Sequence, residues 1–526
     1  MITRSVAARI FCAFYVVFMI TSSGSFEISD GGQRYQTAVS WFEGHGGDLQ
    51  YIAGPREGAQ GTQGRRFSYY GPLQSVLMLP AIATSRVLLL HASPDRAAKL
   101  AIALVITPAI SALTLLLLFT LLLRMEFAPR IALFTTMVMG LCTPLWHYSR
   151  TGQEENLVAL AWVMVLHGLV RIHAADPRGL FWAAAGASTA IATRLATGPV
   201  LGVLGVAIAV ETVRTWRTLQ TMRRVRGEDR FQPWIRCLVP SAALLGAVVA
   251  LLLLYNTYRF GDPLETGYGI AFRELHMSLF DTHDMLPRIT ALLFSPHRGL
   301  LWYCPSLVIL AALLETPLRG ITRRAGGYAL CAWCASLLFF GTYTVWDAGF
   351  AWGPRFLVAP LVLLAPLFAA VFANGVRLYP WLAFSGFVQM LSVMVAAGAE
   401  NYRFAVMNEA SAGTCTPWVC GCTPLCLRLP WTVRAVEAVW SGARFPSFED
   451  GAALTHAQVL ASSDYNTVYW WLVRLAERTH AIPPRAAFLV SLLVLAGALF
   501  ALFQLHRSLA PGQAREYLLP VESRNG

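Results

Sequence analysis

A chain of 526 residues that is 56% hydrophobic and only 13% charged has too few charges for a soluble globule, in which about 25% is usual. The net charge of +12 raises nucleic-acid binding, but the arginines sit in short loops between apolar runs. That distribution orients membrane helices and needs no polyanionic partner. Lys99 is the only lysine, so nearly all the positive charge is guanidinium, whose planar fork suits phosphate.

The chain opens with MITRSVAARIFCAFYVVFMITSSGS, a basic flank followed by an apolar run near residues 6–22. It reads as a first span or as a signal peptide, and either delivers the next segment to the outer face. That segment is the polar, glycine-rich SFEISDGGQRYQTAVSWFEG, which carries Asp30, Arg34 and Tyr35. Asp30 reads as a solvated loop aspartate or as a general base where bilayer meets water. GRRFSYYGPLQSVLMLP then leads through Tyr69, Tyr70, Gly71 and Pro72 into an apolar run over 73–91 that contains Pro80 and Arg86. An arginine central in a span costs about 2.5–3.5 kcal/mol, so 73–91 is read as an interfacial or re-entrant helix inside one long outer loop, 23–97.

Further spans lie near 98–123, 131–147 and 156–172. Between the last two, WHYSRTGQEENLVAL sets Glu154 and Glu155 at the start of a span. The helix dipole favours an acid there by about 0.3–1 kcal/mol, which accounts for one glutamate better than for two. The apolar run over 180–213 would reach about 51 Å as one helix, against a hydrocarbon core of about 30 Å. Arg194, Gly198 and Pro199 break it into spans at 180–194 and 196–213. Arg194 then sits at the ends of both, where it snorkels to the interface or faces a polar cavity.

After a span at 237–255 come YNTYRFGDPLETGYG and LLFSPHRGLLWYCP, with Arg259, Asp262, Glu265, His297 and Arg298. Glycine and proline at this density imply a fixed backbone. His276, Asp281, His283 and Asp284 lie between them without metal-ligand spacing. Spans at 299–315 and 326–345 precede TVWDAGFAWGPRFLVAP, in which Arg355 opens the span 355–373. Arg355 reads equally as an interfacial anchor or as a grip on phosphate. Spans at 379–397 and 486–505 complete twelve. Between these two, CTPWVCGCTPLC holds Cys415, Cys420, Cys422 and Cys426. They read as disulfides of undetermined connectivity, since no histidine there has ligand spacing. The other six cysteines read as core packing.

The loop 214–236 contains Arg214, Arg217, Arg223, Arg224, Arg226, Arg230 and Arg236, so it is assigned to the inside. Counting outward from it, 23–97, 148–155, 256–298, 346–354 and 398–485 share the outer face. The expected fold is an all-α polytopic membrane protein of about twelve transmembrane helices. Residues 1–397 form a membrane module, 398–485 a small outer region, and 486–526 the last span with its tail.

This arrangement resembles the GT-C superfamily of membrane glycosyltransferases. It is most similar to the bacterial, lipid-carrier-dependent members related to protein O-mannosyltransferases and to the lipid A aminoarabinose transferase. The matching features, over most of residues 1–400, are an acid soon after the first span (Asp30), a long outer loop with an interfacial helix (73–91), a second acidic turn (Glu154, Glu155) and a later outer region. RFGDPLETGY, LFSPHRGLLWYCP and WGPRF also look like segments of bacterial membrane proteins grouped with these enzymes. The chain departs from them at Gly31, where many relatives carry a second acid, and at Arg65 and Arg66, where the aminoarabinose branch uses a lysine.

The resemblance implies a polyprenyl-phosphate sugar as donor, membrane lipid as partner, an unspecified acceptor, and an inverting transfer at the outer face of the bacterial inner membrane. Asp30 would be the catalytic base. Glu154 and Glu155 would position the acceptor or a divalent cation, and Arg194 and Arg355 would bind the donor phosphate. Arg34, Tyr35, Tyr69, Tyr70, Arg259 and Arg298 would add substrate contacts. The alternative is a transporter or flippase of a lipid-linked glycan. Transporters place ionisable groups near the bilayer midplane and show repeated halves, whereas here the charges sit at span ends and no repeat is visible.

Overall fold

A computed structural model describes residues 3–26, 29–51, 57–88, 93–226, 232–349, 351–376, 378–395, 417–418, 423–441 and 468–509. Among them, the only sheet is a two-stranded antiparallel ribbon, Ala59–Gln60 against Arg66–Phe67. Nearly everything else is helix, as hydrocarbon requires: a helix satisfies its own backbone polar groups where water is absent.

Seven of the described helices are long and apolar enough to cross a membrane: Pro94–Arg124, Glu155–His173, Leu195–Thr221, Gln232–Phe260, Gly320–Thr342, Arg355–Ala373 and Pro484–Ser508. The other expected spans coincide with shorter helices, namely Arg4–Ile20, Pro129–Leu141, Arg178–Thr193 and Tyr379–Met394. The run at 299–315 is broken into a helical turn, Leu300–Tyr303, and 3-10 turns over Pro305–Leu314. Pro305 lacks the amide that would carry one helix through.

Burial sorts these helices. Glu155–His173 is 83% buried and Arg355–Ala373 is 89% buried, whereas Gln232–Phe260 is only 11% buried and turns leucines and valines outward. A helix apolar all round and exposed is a helix in lipid. The two central helices are the ones that begin at Glu155 and Arg355, so their first residues are carried into the interior. Glu155–His173 packs closely on Arg178–Thr193 through glycines: a Cβ at Gly168 would meet Ala183 at 2.7 Å and one at Gly186 would meet the carbonyl of Ala161 at 2.6 Å. Close backbone approach of this kind is a common basis of membrane helix pairing.

The stretch around Asp30 is a helix, Ser29–Phe42, and not a loop. Residues 73–91 contain the helix Leu73–Leu88, which packs on it through Met78, Ala81 and Ile82 against Tyr35 and Ala38. Arg86, near the end of that helix, pairs with Glu43 and Asp95, each at 3.0 Å, and all three side chains reach solvent. The described parts of 398–485 include the helices Pro424–Ser441 and Trp471–Thr479. They dock on the membrane module: Arg428 donates to the carbonyl of Val395 at 2.6 Å and Trp471 N–H to that of Ser22 at 2.7 Å. Cys426 is disulfide-bonded. Cys415, Cys420 and Cys422 lie outside the described residues. The other six cysteines are free. Core packing fits Cys304, which is buried, but not Cys12, Cys331 and Cys334, which are exposed on membrane helices.

Candidate active site

Five chain segments meet at one end of the bundle. The helix Ser29–Phe42 supplies Asp30 in its first turn and Arg34 one turn later, a spacing that puts both on one face. The turn before Glu155–His173 supplies Glu154, and that helix supplies Glu155. Arg194 stands where the backbone leaves Arg178–Thr193 in an extended conformation, φ −157° and ψ 117°. The loop after Arg66–Phe67 brings Tyr69 and Tyr70. Gly71 lets this loop sit against the carbonyls of Ala192 and Thr193, where a Cβ would collide.

Arg355 is the hub. Its Nε donates to Glu155 Oε1 at 2.5 Å, its Nη1 to Asp30 Oδ2 at 2.5 Å and its Nη2 to Glu154 Oε2 at 3.2 Å. Arg34 pairs with Glu154 from the other side, and its guanidinium lies 3.9 Å from the centre of the Tyr70 ring. Arg194 Nη1 lies 3.7 Å from Glu154 and 3.6 Å from Glu155, with its guanidinium over Phe356 at 4.5 Å and Phe340 at 5.3 Å. Three acids and three arginines thus balance. Four of the six side chains are at most 4% exposed, while Asp30 (16%) and Arg194 (13%) reach the edge of the cluster. Beside Arg194 a crevice runs between Tyr69, Tyr70, Arg259 and Tyr268.

Burial tends to raise the Asp30 carboxyl. The guanidiniums of Arg355 and Arg34, with hydrogen bonds from Tyr70 and Arg355, outweigh it and hold Asp30 below the ordinary aspartate range. Glu154 is likewise held low: burial works against ionisation, and Arg34, Arg355 and Arg194 overcome it. Both are carboxylates, and acceptors only.

The remaining expected contacts divide. Tyr69 and Tyr70 lie at the cluster, with ring centres 4.7 Å apart. Tyr35 does not: it turns about 100° away from Arg34 on the same helix, packs in the core and donates its hydroxyl to Asp95 at 2.8 Å. Arg259 and Arg298 are buried and hold backbone. Arg259 donates to the carbonyls of Ser68 and Tyr70, so it fixes the tyrosine loop. Arg298 donates to the carbonyls of Ala351 (2.6 Å) and Gly349, so it shapes the turn that delivers Arg355. That turn includes Gly353 at φ +60°, packed on Tyr303.

Tyr268 and Tyr343 are additions. Tyr268 packs against Tyr69 with ring centres 4.7 Å apart and planes tilted by 44°, and Tyr343 packs on Phe356 at 5.6 Å. Tyr268 lies in the glycine-rich YNTYRFGDPLETGYG segment, whose rigidity was the available signal. Asp262, Glu265 and Asp281 are engaged in local turns and pairs with Arg273 and Arg288. A divalent cation does not fit the acid cluster, whose carboxylates are already matched by arginines. Among the described residues, no group of three histidines, cysteines or acids is disposed to hold a metal.

The fold and site together define a multi-pass, all-α membrane protein with a buried acid–arginine centre at one end of its bundle. No protein-family model matches the chain, and no curated protein matches it. Among solved structures it is similar to ArnT from Cupriavidus metallidurans in the apo state, at 14% identity and a TM-score of 0.46, over 96% of this chain and 77% of that one.

Proposed function

We propose that this protein is a GT-C-type glycosyltransferase that moves a sugar from a polyprenyl-phosphate carrier to an acceptor at the outer face of the bacterial inner membrane. The observation that supports it is the convergence of Asp30, Glu154, Glu155, Arg34, Arg194 and Arg355 from distant segments into one buried centre.

The leaving group in such a transfer is a lipid phosphate, which gains one negative charge as the bond from C1 of the sugar to its oxygen breaks. It needs cations more than a proton donor, so one carboxylate base suffices, unlike the pair in a glycosidase. Asp30 takes the acceptor proton as the acceptor attacks C1 from the face opposite the phosphate, and configuration inverts. In the cluster as it stands, Arg355 holds Asp30 as a weak base. A phosphate that draws the guanidiniums of Arg355 and Arg194 toward itself frees Asp30 and makes it more basic, so donor binding and base activation are coupled. Glu154 and Glu155 tether Arg355 while its guanidinium shifts, and Glu154 keeps Arg34 in place. The exposed apolar faces of the membrane helices, such as the leucines and valines of Gln232–Phe260, hold the prenyl chain in the bilayer beside this centre and so supply positioning.

The test uses purified protein with labelled polyprenyl-phosphate sugar, comparing wild type with Asp30→Asn. Wild type releases lipid phosphate and the variant does so far more slowly. Equal rates would remove Asp30 as base. Movement of intact donor across vesicles without consumption would favour the transporter.

A further inference from the structure

A second charged centre lies at the other end of the bundle. Along Gly320–Thr342, the residues Gly320, Arg323, Arg324, Gly327, Tyr328 and Cys331 line one wall of an open cleft of about 560 Å³, with Arg214 opposite. Their spacing of three and four is a single helix face. Behind them stands Glu211, only 1% exposed, with both oxygens in use. Its Oε1 takes Arg214 at 2.7 Å and the Tyr328 hydroxyl at 3.3 Å, and its Oε2 takes His173 at 3.0 Å and Arg324 at 3.4 Å. Arg323 is exposed and has no ion pair among the described residues. Three guanidiniums therefore face the cleft against one carboxylate, and two of them are fixed from behind.

Two further facts define the ligand. From Arg324 to Phe340, which lies under Arg194, is sixteen residues of continuous helix, or about 24 Å. The cleft is therefore near the opposite boundary of a hydrocarbon core of about 30 Å. Below it the helix surfaces are apolar and exposed: Leu338 on one helix, Val206 on the other. A ligand there meets a cationic fork at the interface and a lipid-facing wall beneath it.

We propose that this cleft is a binding site for the phosphate of an anionic bilayer phospholipid, in the leaflet opposite the acid–arginine cluster. The guanidinium edges of Arg214, Arg323 and Arg324 hydrogen-bond the phosphate oxygens, and the acyl chains lie along the exposed apolar faces. The site differs from a generally basic loop because Glu211 organises it.

The experiment counts phospholipid retained by the purified full-length protein in nanodiscs of phosphatidylcholine with and without phosphatidylglycerol, by native mass spectrometry. Wild type retains phosphatidylglycerol severalfold over phosphatidylcholine. Arg323→Gln with Arg324→Gln loses that preference. Arg217→Gln, an exposed arginine outside the cleft, keeps it. Glu211→Gln separates the two physical pictures, since it makes the region more positive while releasing the arginines: a built site binds less phosphatidylglycerol, and a diffuse field binds more. A gain in that variant, an equal loss with Arg217→Gln, or no preference in wild type overturns the proposal. Displacement of the lipid by inorganic phosphate also overturns it, by making the site one for a soluble anion.

Discussion

The two charged centres use the same vocabulary, carboxylates gripped by arginines with tyrosine beside them, and differ in burial. At the Arg355 end, four of six charged side chains are at most 4% exposed. At the Glu211 end the carboxylate is buried, but Arg214 and Arg324 are 52% and 46% exposed. Water screens the second set, so each arginine there is nearly independent of its partner. The first set is desolvated, so each charge depends on the others. Interdependence lets an incoming anion change the state of a carboxylate it need not touch. A solvated fork only docks one. Burial therefore divides the chemistry assigned to one end from the anchoring assigned to the other.

Removing the hub is the most severe way to break this comparison. Arg355→Ala leaves Asp30, Glu154 and Glu155 facing one another without their shared cation. Loss of one partner from a buried pair costs about 3–5 kcal/mol, so the variant is expected to lose its thermal midpoint or its monodispersity in detergent. A midpoint equal to wild type would mean that the cluster is open to water. Asp30→Asn is next. It removes one edge acid while Arg355 keeps two glutamates, so the protein stays folded, and turnover of labelled donor falls by about 10²–10⁴, the usual worth of a general base. Folded, fully active protein would shift the base role to another acid.

Much of this was legible in the sequence because membrane helices advertise themselves. The break at Arg194 sits where the length of the apolar run placed stress, and Asp30, Glu154, Glu155, Arg194 and Arg355 were each visible as charges at span ends. The break at Pro305 went unread, because apolar composition made 299–315 look like one span. The helix Ser29–Phe42 was not. Two glycines and a polar composition argue for loop, and burial against Leu73–Leu88 overrides them. Tyr35, Ala38, Val39 and Phe42 have the three-and-four spacing that would have shown it. Arg34 could not be distinguished from a solvated arginine without knowing that Glu154 lies across from it. Arg259 and Arg298 both donate to backbone carbonyls, and one sequence does not reveal which arginines hold backbone and which hold substrate.

Acid titration sharpens the contrast by a smaller amount. The Asp30 carboxyl is held below its ordinary value, first against burial and then by Arg355 and Arg34, so the unfolded chain takes up its proton first as pH falls. The stabilisation from Asp30 is therefore complete above about pH 4, the unfolded value, and is lost as pH drops through the lower folded value. Glu154 shifts in the same direction. Melting midpoints should fall first below about pH 6.5, where the unfolded chain protonates a histidine that burial and Arg298 keep neutral at His297, and should decline further below about pH 4 as Asp30 and Glu154 lose their advantage. Asp30→Asn should make that decline shallower without abolishing it. An unchanged decline would mean that Asp30 has no such pairing in solution.

The smallest effect belongs to Arg214→Gln. Arg214 contacts the same kind of buried glutamate as Arg355 does, at the comparable distance of 2.7 Å, so a rule based on contact distance alone predicts comparable damage. A rule based on desolvation predicts almost none, because half of the Arg214 side chain is in solvent and Glu211 keeps His173, Arg324 and Tyr328. The melting midpoint should stay close to wild type, and its small change should shrink further with added salt, which screens exposed pairs and leaves buried ones intact. If Arg214→Gln unfolds the protein as Arg355→Ala does, burial is not what separates the two ends, and both must be read as structural clamps.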